Sequence, residues 1–128
     1  MKGTYAAIFT PKNGRVYVRL PDLPGCVTSG DSYEDAFNMA MDAANLWMAD
    51  LVDRKELVPK PTPMNQIVRD DGDTLMLIQI DTAEYLRRTE SRAVRRTVSI
   101  PSWMDMEAQQ KGISLSRVLQ DALSAKLA

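Results

Sequence analysis

A mostly apolar run and a stretch of alternating apolar and polar residues lie near the start of the chain, and together they predict a β-hairpin. A mixed apolar run over residues 5–10 suits one strand, and residues 16–20 alternate as the return strand. Between them lie Asn13 and Gly14, a dipeptide typical of two-residue hairpin turns because both positions need a positive φ. Residues 27–28 then predict a short third strand.

The next periodic stretch has apolar residues three and four positions apart and predicts the main helix of the N-terminal part. We expect Asp31 to be its N-cap, with Glu34 completing a capping-box pattern, and we expect the helix to end near Asp53. Small residues dominate the apolar face, so the helix is expected to lie close against a sheet. That face consists of Ala36, Ala40, Ala43, Ala44, Trp47 and Leu51.

The segment after this helix contains Pro59, Pro61 and Pro63, and this spacing predicts an extended, non-helical chain. Residues 67–68 and 75–80 predict a second hairpin around the turn at 70–73. A short helix with Asp81 as its cap is predicted from there to about Arg88. The N-terminal part is therefore expected to be an α+β fold with one small sheet and one main helix.

The last third of the chain begins with a short strand pattern and continues with two helices. Val98 and Ile100 fall on one face of the strand, and Arg95, Thr97 and Ser99 fall on the other. Arg96 stands where the inward alternation favours an apolar residue, so we expect it to lie past the paired region or to reach solvent.

Two short helices follow this strand. The first starts near Pro101, which is tolerated at a helix start, and ends near Lys111, where Gly112 supplies a stop. Ser114 is expected to cap the second helix, whose apolar residues recur in one stripe.

A strand and two short helices bury too little surface to be stable alone, and a single strand leaves both backbone edges unpaired. A second copy would solve both problems, with two antiparallel strands above a shared helical core. The core residues are expected to be Val98, Ile100, Val118, Leu119, Ala122 and Leu123. A two-stranded ribbon fits the DNA major groove. The alternative is a hairpin that docks on the N-terminal domain, with Arg95 and Arg96 merely solvated.

Charge is unevenly distributed along the 128 residues, whose net charge is −1. Residues 1–86 hold 8 Lys and Arg against 13 Asp and Glu, a balance of −5, and residues 87–128 hold 8 against 4, a balance of +4. This distribution is typical of an acidic body that carries a basic module. DNA attraction would belong to the basic part. The acidic body could face a basic protein partner, or its charge could simply keep the domain soluble.

The absence of histidine from the sequence excludes His-based triads and the usual zinc ligand. A two-metal nuclease would need clustered carboxylates, and the candidates are Asp22, Asp31, Asp35, Asp70, Asp71 and Asp73. We expect that the protein is not an enzyme and that it binds no metal ion and no cofactor. The single cysteine, Cys26, is expected to be structural and fits a reducing, cytoplasmic location. No apolar run is long enough to span a membrane.

Two stretches resemble known families. Residues 95–123, from the strand through Gly112-Ile-Ser-Leu-Ser116 to the last leucine, resemble ribbon-helix-helix DNA-binding domains. The resemblance implies that Arg95, Thr97 and Ser99 contact bases, and that backbone N–H groups near Ser114, Leu115 and Ser116 hold a phosphate. The latter suits a helix N-terminus physically.

Residues 21–36, Pro-Asp-Leu-Pro-Gly-Cys-Val-Thr-Ser-Gly-Asp-Ser-Tyr-Glu-Asp-Ala, resemble the HicB antitoxin family. That resemblance implies a partial ribonuclease-H-like toxin-binding domain at 1–88, a linker at 89–94, and a DNA-binding and dimerisation domain at 95–128. It also implies a HicA-like, mRNA-cleaving toxin and operator DNA as partners, with autorepression by a homodimer or a tetramer. A second hypothesis is a ribbon-helix-helix repressor whose N-terminal domain senses a small ligand at the 21–26 turn. A third is a residual nuclease.

Overall fold

The computed structural model describes residues 1–90 and 92–128, and the chain divides into two compact units. The N-terminal unit is Met1–Arg92 and the C-terminal unit is Ala93–Ala128. Within the described residues, no helix is both long and apolar enough to cross a membrane.

The N-terminal unit contains four strands, β1 (Lys2–Lys12), β2 (Arg15–Arg19), β3 (Val27–Gly30) and β4 (Thr74–Asp81). They form one antiparallel sheet with the order β3-β2-β1-β4. The first hairpin is confirmed: Asn13 and Gly14 have φ of 53° and 76°, as the tight turn requires. The short third strand is confirmed as well.

Helix α1, Tyr33–Asp53, packs against one face of the sheet. The buried core between them combines strand and helix side chains, and its largest fully buried members include Tyr5, Phe9, Leu23 and Met48. The predicted end at Asp53 is confirmed, but the predicted cap is wrong by one residue. Ser32 is the N-cap, and its Oγ accepts from the Asp35 N–H. Asp31 instead forms an ion pair with Arg15 at 2.6 Å, which fixes its carboxylate on the neighbouring strand.

Gly30 joins β3 to this helix at a very close backbone approach. A Cβ added at Gly30 would lie 2.3 Å from the Ala36 backbone nitrogen, closer than atoms can pack. Glycine is therefore required for the helix to start directly against the sheet.

The second predicted hairpin is wrong. β4 pairs with β1 from Lys2↔Asp81 to Phe9↔Thr74. The backbone hydrogen bonds of β4 are therefore made with the first strand of the chain and not with residues 67–68. Residues 67–68 are not in a strand, and a one-turn 3-10 helix, Met64–Gln66, precedes them. Local alternation could not reveal that the partner of β4 was the first strand. The short helix is confirmed as α2, Thr82–Thr89, with the Asp81 side chain accepting from the Glu84 N–H.

The C-terminal unit contains helices α3, Ser102–Gln110, and α4, Leu115–Leu127. Both helices and the predicted stop are confirmed: Gly112 has a φ of 65°, and the Ser114 Oγ accepts from the Arg117 N–H. The strand predicted at 95–100 is not formed in the single chain. A strand needs a hydrogen-bonding neighbour, and the single chain provides none for these residues.

Candidate functional site

The turn at residues 21–26 acts as a structural clasp. Both carboxylate oxygens of Asp22 accept hydrogen bonds from Thr62, at 2.8 Å from its N–H and 2.6 Å from its hydroxyl. The Trp47 indole N–H donates to the Pro24 carbonyl at 3.2 Å. Leu23 and Cys26 are buried in the core. The side chains of the turn therefore make intramolecular contacts that stabilise the fold. This counts against the hypothesis that the turn lines a ligand pocket.

The proline-rich segment after α1 is held by a second contact. The Tyr5 hydroxyl donates to the Pro59 carbonyl at 2.6 Å. Burial raises the pKa of Tyr5, and the nearby Asp22 carboxylate raises it further, because both disfavour the phenolate. The hydroxyl therefore stays protonated and keeps its role as a donor.

The carboxylates proposed for a nuclease do not converge. Asp22 accepts from Thr62, Asp31 pairs with Arg15, and Asp73 accepts from the Thr10 hydroxyl at 2.8 Å. Across residues 1–90 and 92–128, no group of three or more potential Asp, Glu, Cys or His ligands could hold a metal ion. These acids therefore make separate structural contacts.

Cys26 lies in the core next to the clasp. Burial raises the pKa of its thiol, which lowers the fraction of reactive thiolate at neutral pH. This environment is typical of a structural cysteine and agrees with the expectation for this residue.

Helix α1 concentrates the negative charge of the N-terminal unit. It holds Glu34, Asp35, Asp42, Asp50 and Asp53 and contains no Lys or Arg. These five acids account for the whole balance of −5 in residues 1–86, because the other eight acids there are matched by eight basic residues. Asp50 pairs with Arg54 just beyond the helix, at 3.1 Å.

A shallow groove between α1 and α2, here called the acidic groove, combines this charge with an apolar floor. Leu46 and Leu86 are exposed there, Leu46 to 57%, and Asp50, Asp53 and Glu90 contribute carboxylates to its lining. Its volume is about 340 Å³, and its lining is completed by Ala49, Tyr85 and Thr89. An apolar floor with acidic edges suits a basic, partly apolar protein segment.

The sheet face opposite α1, here called the open sheet face, is also exposed. Tyr17, Val27 and Leu77 are large apolar residues on it, and Val27 is 68% exposed. A concavity of about 400 Å³ lies beside β2 and β3. Its lining includes Thr10, Arg19 and Ser29 but no acidic residue, so the two surfaces of the N-terminal unit differ in charge.

The residues predicted to touch DNA are all exposed in the C-terminal unit. Arg95, Thr97 and Ser99 lie in the segment without regular structure, and Ser114, Leu115 and Ser116 lie at the start of α4. The first N–H groups of a helix have no intrahelical acceptor, so this end of α4 can bind an anion.

The side chains predicted to form the dimer core are exposed in the single chain. Leu119 is 41% and Ile100 43% exposed. The full set of exposed core candidates is Val98, Ile100, Val118, Leu119, Ala122 and Leu123. Apolar residues in a stripe of this size are rarely left in water.

Two features of the N-terminal unit were not predicted from the sequence. The acidic groove depends on the packing of α2 against α1, although the lack of any basic residue in Tyr33–Asp53 was a readable signal. The bond between Asp22 and Thr62 joins residues 40 positions apart, and no local pattern indicates it.

Comparisons with known proteins agree on one family. The model of the family described as "HicB_like antitoxin of bacterial toxin-antitoxin system" matches residues 5–123. Antitoxin HicB 1 of Photorhabdus laumondii is 34% identical over 55 residues, which cover 43% of this chain and 36% of that protein. The matched stretch thus spans little more than a third of the relative.

Solved structures show the same fold. A chain of a toxin-antitoxin complex from Streptococcus pneumoniae has a TM-score of 0.63 and 24% identity, covering 98% of this chain and 99% of that one. The Burkholderia pseudomallei antitoxin HicB has a TM-score of 0.53 and 22% identity, with coverage of 100% and 99%. A chain of a HicA3 and HicB3 toxin-antitoxin complex has a TM-score of 0.52 and 20% identity, with coverage of 62% and 99%. Since the family model spans almost the whole sequence, this chain belongs to the HicB-like antitoxins of bacterial toxin-antitoxin systems.

Proposed function

We propose that this chain neutralises a HicA-like toxin with its N-terminal unit and represses the toxin operon by binding the operator as a dimer. The observation that carries the proposal is the family match over residues 5–123, which includes both units. The protein acts by binding and catalyses no reaction. The use of its carboxylates in separate structural contacts supports this part of the proposal.

The toxin docks on the acidic groove. A ribonuclease that cuts mRNA must bind a polyanion, so its working surface is expected to be basic. The groove offers Asp50, Asp53 and Glu90 around exposed leucines. Complementary charge of this kind favours fast and specific association. A solved relative described as a complex of HicA3 and HicB3 supports the choice of partner.

The operator is bound by a ribbon-helix-helix dimer. Residues 95–100 of two copies pair as antiparallel strands, which satisfies the backbone edges that are open in the single chain. Val98 and Ile100 then face a core made with both copies of α4. Arg95, Thr97 and Ser99 point into the major groove from two symmetric strands. Pairing between N-terminal units, which have a partial ribonuclease-H-like fold, would extend the dimer to a tetramer.

Two variants tested in two binding assays separate the proposed sites. Arg95→Gln should weaken operator binding by about 1–3 kcal/mol, since arginine reads guanine with two hydrogen bonds. Its affinity for the toxin encoded beside the gene should not change. Leu46→Lys should weaken toxin binding, because it places a positive charge on the floor of the acidic groove. Its affinity for the operator should not change. Gel shifts measure the first affinity and titration calorimetry the second.

Val27→Lys on the open sheet face is the matched control for Leu46→Lys, because both replace an exposed apolar residue with lysine. The control should leave both affinities unchanged. Loss of toxin binding in Val27→Lys, with none in Leu46→Lys, would move the toxin to the open sheet face. Full operator affinity of Arg95→Gln would contradict base reading by this residue.

A further inference from the structure

The excess positive charge of residues 87–128 lies just before the predicted DNA-binding fold and in its first two residues. Residues 97–128 hold three basic residues, Lys111, Arg117 and Lys126, and three acidic ones, so their balance is zero. Residues 87–96 hold five arginines and one glutamate, a balance of +4. The whole excess therefore lies in residues 87–96, which include the first two residues of the predicted ribbon and are here called the arginine arm.

The arginines of the arm are exposed to solvent, and their guanidinium groups are available to bind an external anion. Arg87 and Arg88 lie in the last turn of α2, and Arg92, Arg95 and Arg96 lie in the segment that follows. Among residues 1–90 and 92–128, no ion pair involves any of the five. The Arg88 guanidinium lies over the Tyr85 ring, 5.9 Å from its centroid, so this residue already has an intramolecular contact.

The alternation of side chains along the predicted strand places Arg95 and Arg96 on opposite faces, so the two arginines are expected to have different roles. Arg95 shares a face with Thr97 and Ser99, whereas Arg96 shares a face with the apolar Val98. Arg96 therefore cannot reach base edges with Arg95. A long side chain at the end of the ribbon can extend sideways to the DNA backbone, which accounts for a charge at an otherwise apolar position.

The arm is long enough to reach the DNA backbone. Five residue steps separate Arg92 from Thr97, and an extended chain of that length spans about 17 Å. The major groove of B-DNA is about 12 Å wide. A chain leaving a ribbon seated in the groove can therefore cross to the phosphates that border it.

We propose that Arg87, Arg92 and Arg96 bind the phosphates flanking the operator and supply the sequence-independent part of its affinity. The inference rests on the operator binding proposed above and divides it into two parts. Arg95, Thr97 and Ser99 select the sequence, and Arg87, Arg92 and Arg96 provide general attraction to a duplex. A neutral helical core alone offers little such attraction, because affinity for DNA grows with the number of phosphates neutralised.

The test is the salt dependence of binding to two duplexes by the full chain with Arg87→Gln, Arg92→Gln and Arg96→Gln combined. The duplexes are the DNA upstream of the gene and an unrelated sequence of equal length. The slope of log affinity against log salt should fall by about 0.9 for each lost phosphate contact, and by about 5 if all six arginines of a dimer contribute. Affinity should fall roughly tenfold or more on both duplexes, so their ratio stays within about twofold.

A matched control removes the same charge elsewhere. Lys12→Gln, Lys55→Gln and Lys60→Gln combined also change the net charge by −3, at exposed positions of the N-terminal unit. This control should keep the salt slope of the unmodified protein. An equal loss of slope in the control would mean that net charge alone acts, and the assignment to the arm would be overturned.

The remaining outcomes distinguish a failure of this inference from a failure of the proposed operator binding on which it rests. If the arm variant keeps its slope while Arg95→Gln loses operator preference, only the role of the arm is wrong. If the arm variant loses preference between the duplexes, the arm reads sequence, which also contradicts the inference. If the unmodified chain binds neither duplex, the proposed repressor function fails together with it.

Discussion

The two units of this chain differ in what they bury. The N-terminal unit has a continuous core between its sheet and α1, with Phe9, Leu23 and Met48 fully buried. The C-terminal unit has well-formed helices, yet none of its side chains is buried. The first unit therefore has an internal core, whereas the second leaves an apolar stripe exposed. Helix propensity and the N-terminal cap favour the helical conformation of α4, but they do not bury its apolar side chains.

The two units also carry opposite net charge: Met1–Arg92 holds 11 basic and 14 acidic residues, a balance of −3, and Ala93–Ala128 holds 5 and 3, a balance of +2. The main sources of these charges are α1 and the arginine arm, which spans the boundary between the units. α1 holds the net −5 of residues 1–86, and the arginine arm holds the net +4 of residues 87–128. One charge lies on a rigid helix of the folded core, and the other includes a segment without regular structure. The first suits one shaped protein partner, and the second suits the regular phosphates of a duplex.

The largest expected effect comes from Leu119→Glu in the stripe of α4. A carboxylate buried at a dimer core without a partner costs about 3–5 kcal/mol. We expect the dimer to dissociate and operator binding to be lost, while the N-terminal unit stays folded and binds the toxin. Sedimentation velocity measures the dimer, and near-UV circular dichroism follows the folded core.

Gln120→Glu is the matched control, since it adds the same charge one position along the helix and outside the apolar stripe. It should remain dimeric. A Leu119→Glu protein that still sediments as a dimer would show that the C-terminal unit finds its core elsewhere, and the contrast between the units would lose its basis.

A smaller effect is expected in the N-terminal unit from Asp22→Ala, which removes both hydrogen bonds to Thr62. Hydrogen bonds to charged groups contribute about 1.5–3 kcal/mol, so the free energy of unfolding should drop by about that amount. Dimerisation should not change. Urea denaturation measures the first quantity and sedimentation the second.

Asp71→Ala is the control for Asp22→Ala, because Asp71 is exposed in the turn before β4. Its stability should stay within about 0.5 kcal/mol of the unmodified protein, as is usual for surface substitutions. Equal destabilisation by the two variants would mean that the clasp contributes nothing beyond the loss of a charge.

The smallest effect concerns Cys26. Because burial raises the pKa of its thiol in the folded state, we expect iodoacetamide to modify the native protein more slowly than the urea-unfolded protein at neutral pH. The raised pKa contributes stability that is present below the unfolded pKa and is lost as pH rises through the folded value. Mass spectrometry measures the modification rate against pH, and urea denaturation at several pH values measures the loss of stability. Equal rates in the native and unfolded states would mean that the thiol is exposed.

Local signals in the sequence predicted local structure well. Asn13 and Gly14 identified the first hairpin, and Asp81 and Ser114 identified two helix starts, because each depends on contacts within a few residues. The cap of α1 was misplaced because Asp31 and Ser32 are both good caps. The ion pair with Arg15, on another strand, occupies the Asp31 carboxylate.

Pairings distant in sequence were not predictable in the same way. The register of β4 on β1 joins residues about 70 positions apart, and the apolar pair at 67–68 wrongly suggested a closer partner. The residues of the acidic groove meet only when α2 packs beside α1. The DNA-reading residues were predicted by resemblance and alternation, and their role stays a prediction.

The uncovered stripe of α4 has a consequence for the proposed repression of the operon. If the C-terminal unit proposed to bind the operator acquires its core only from a second copy, its folded fraction rises with the amount of protein in the cell. Scarce antitoxin could still occupy toxin one molecule at a time, whereas silencing of transcription would begin only above a threshold abundance. The exposed leucines would then let the operon sense how much of its own product has accumulated.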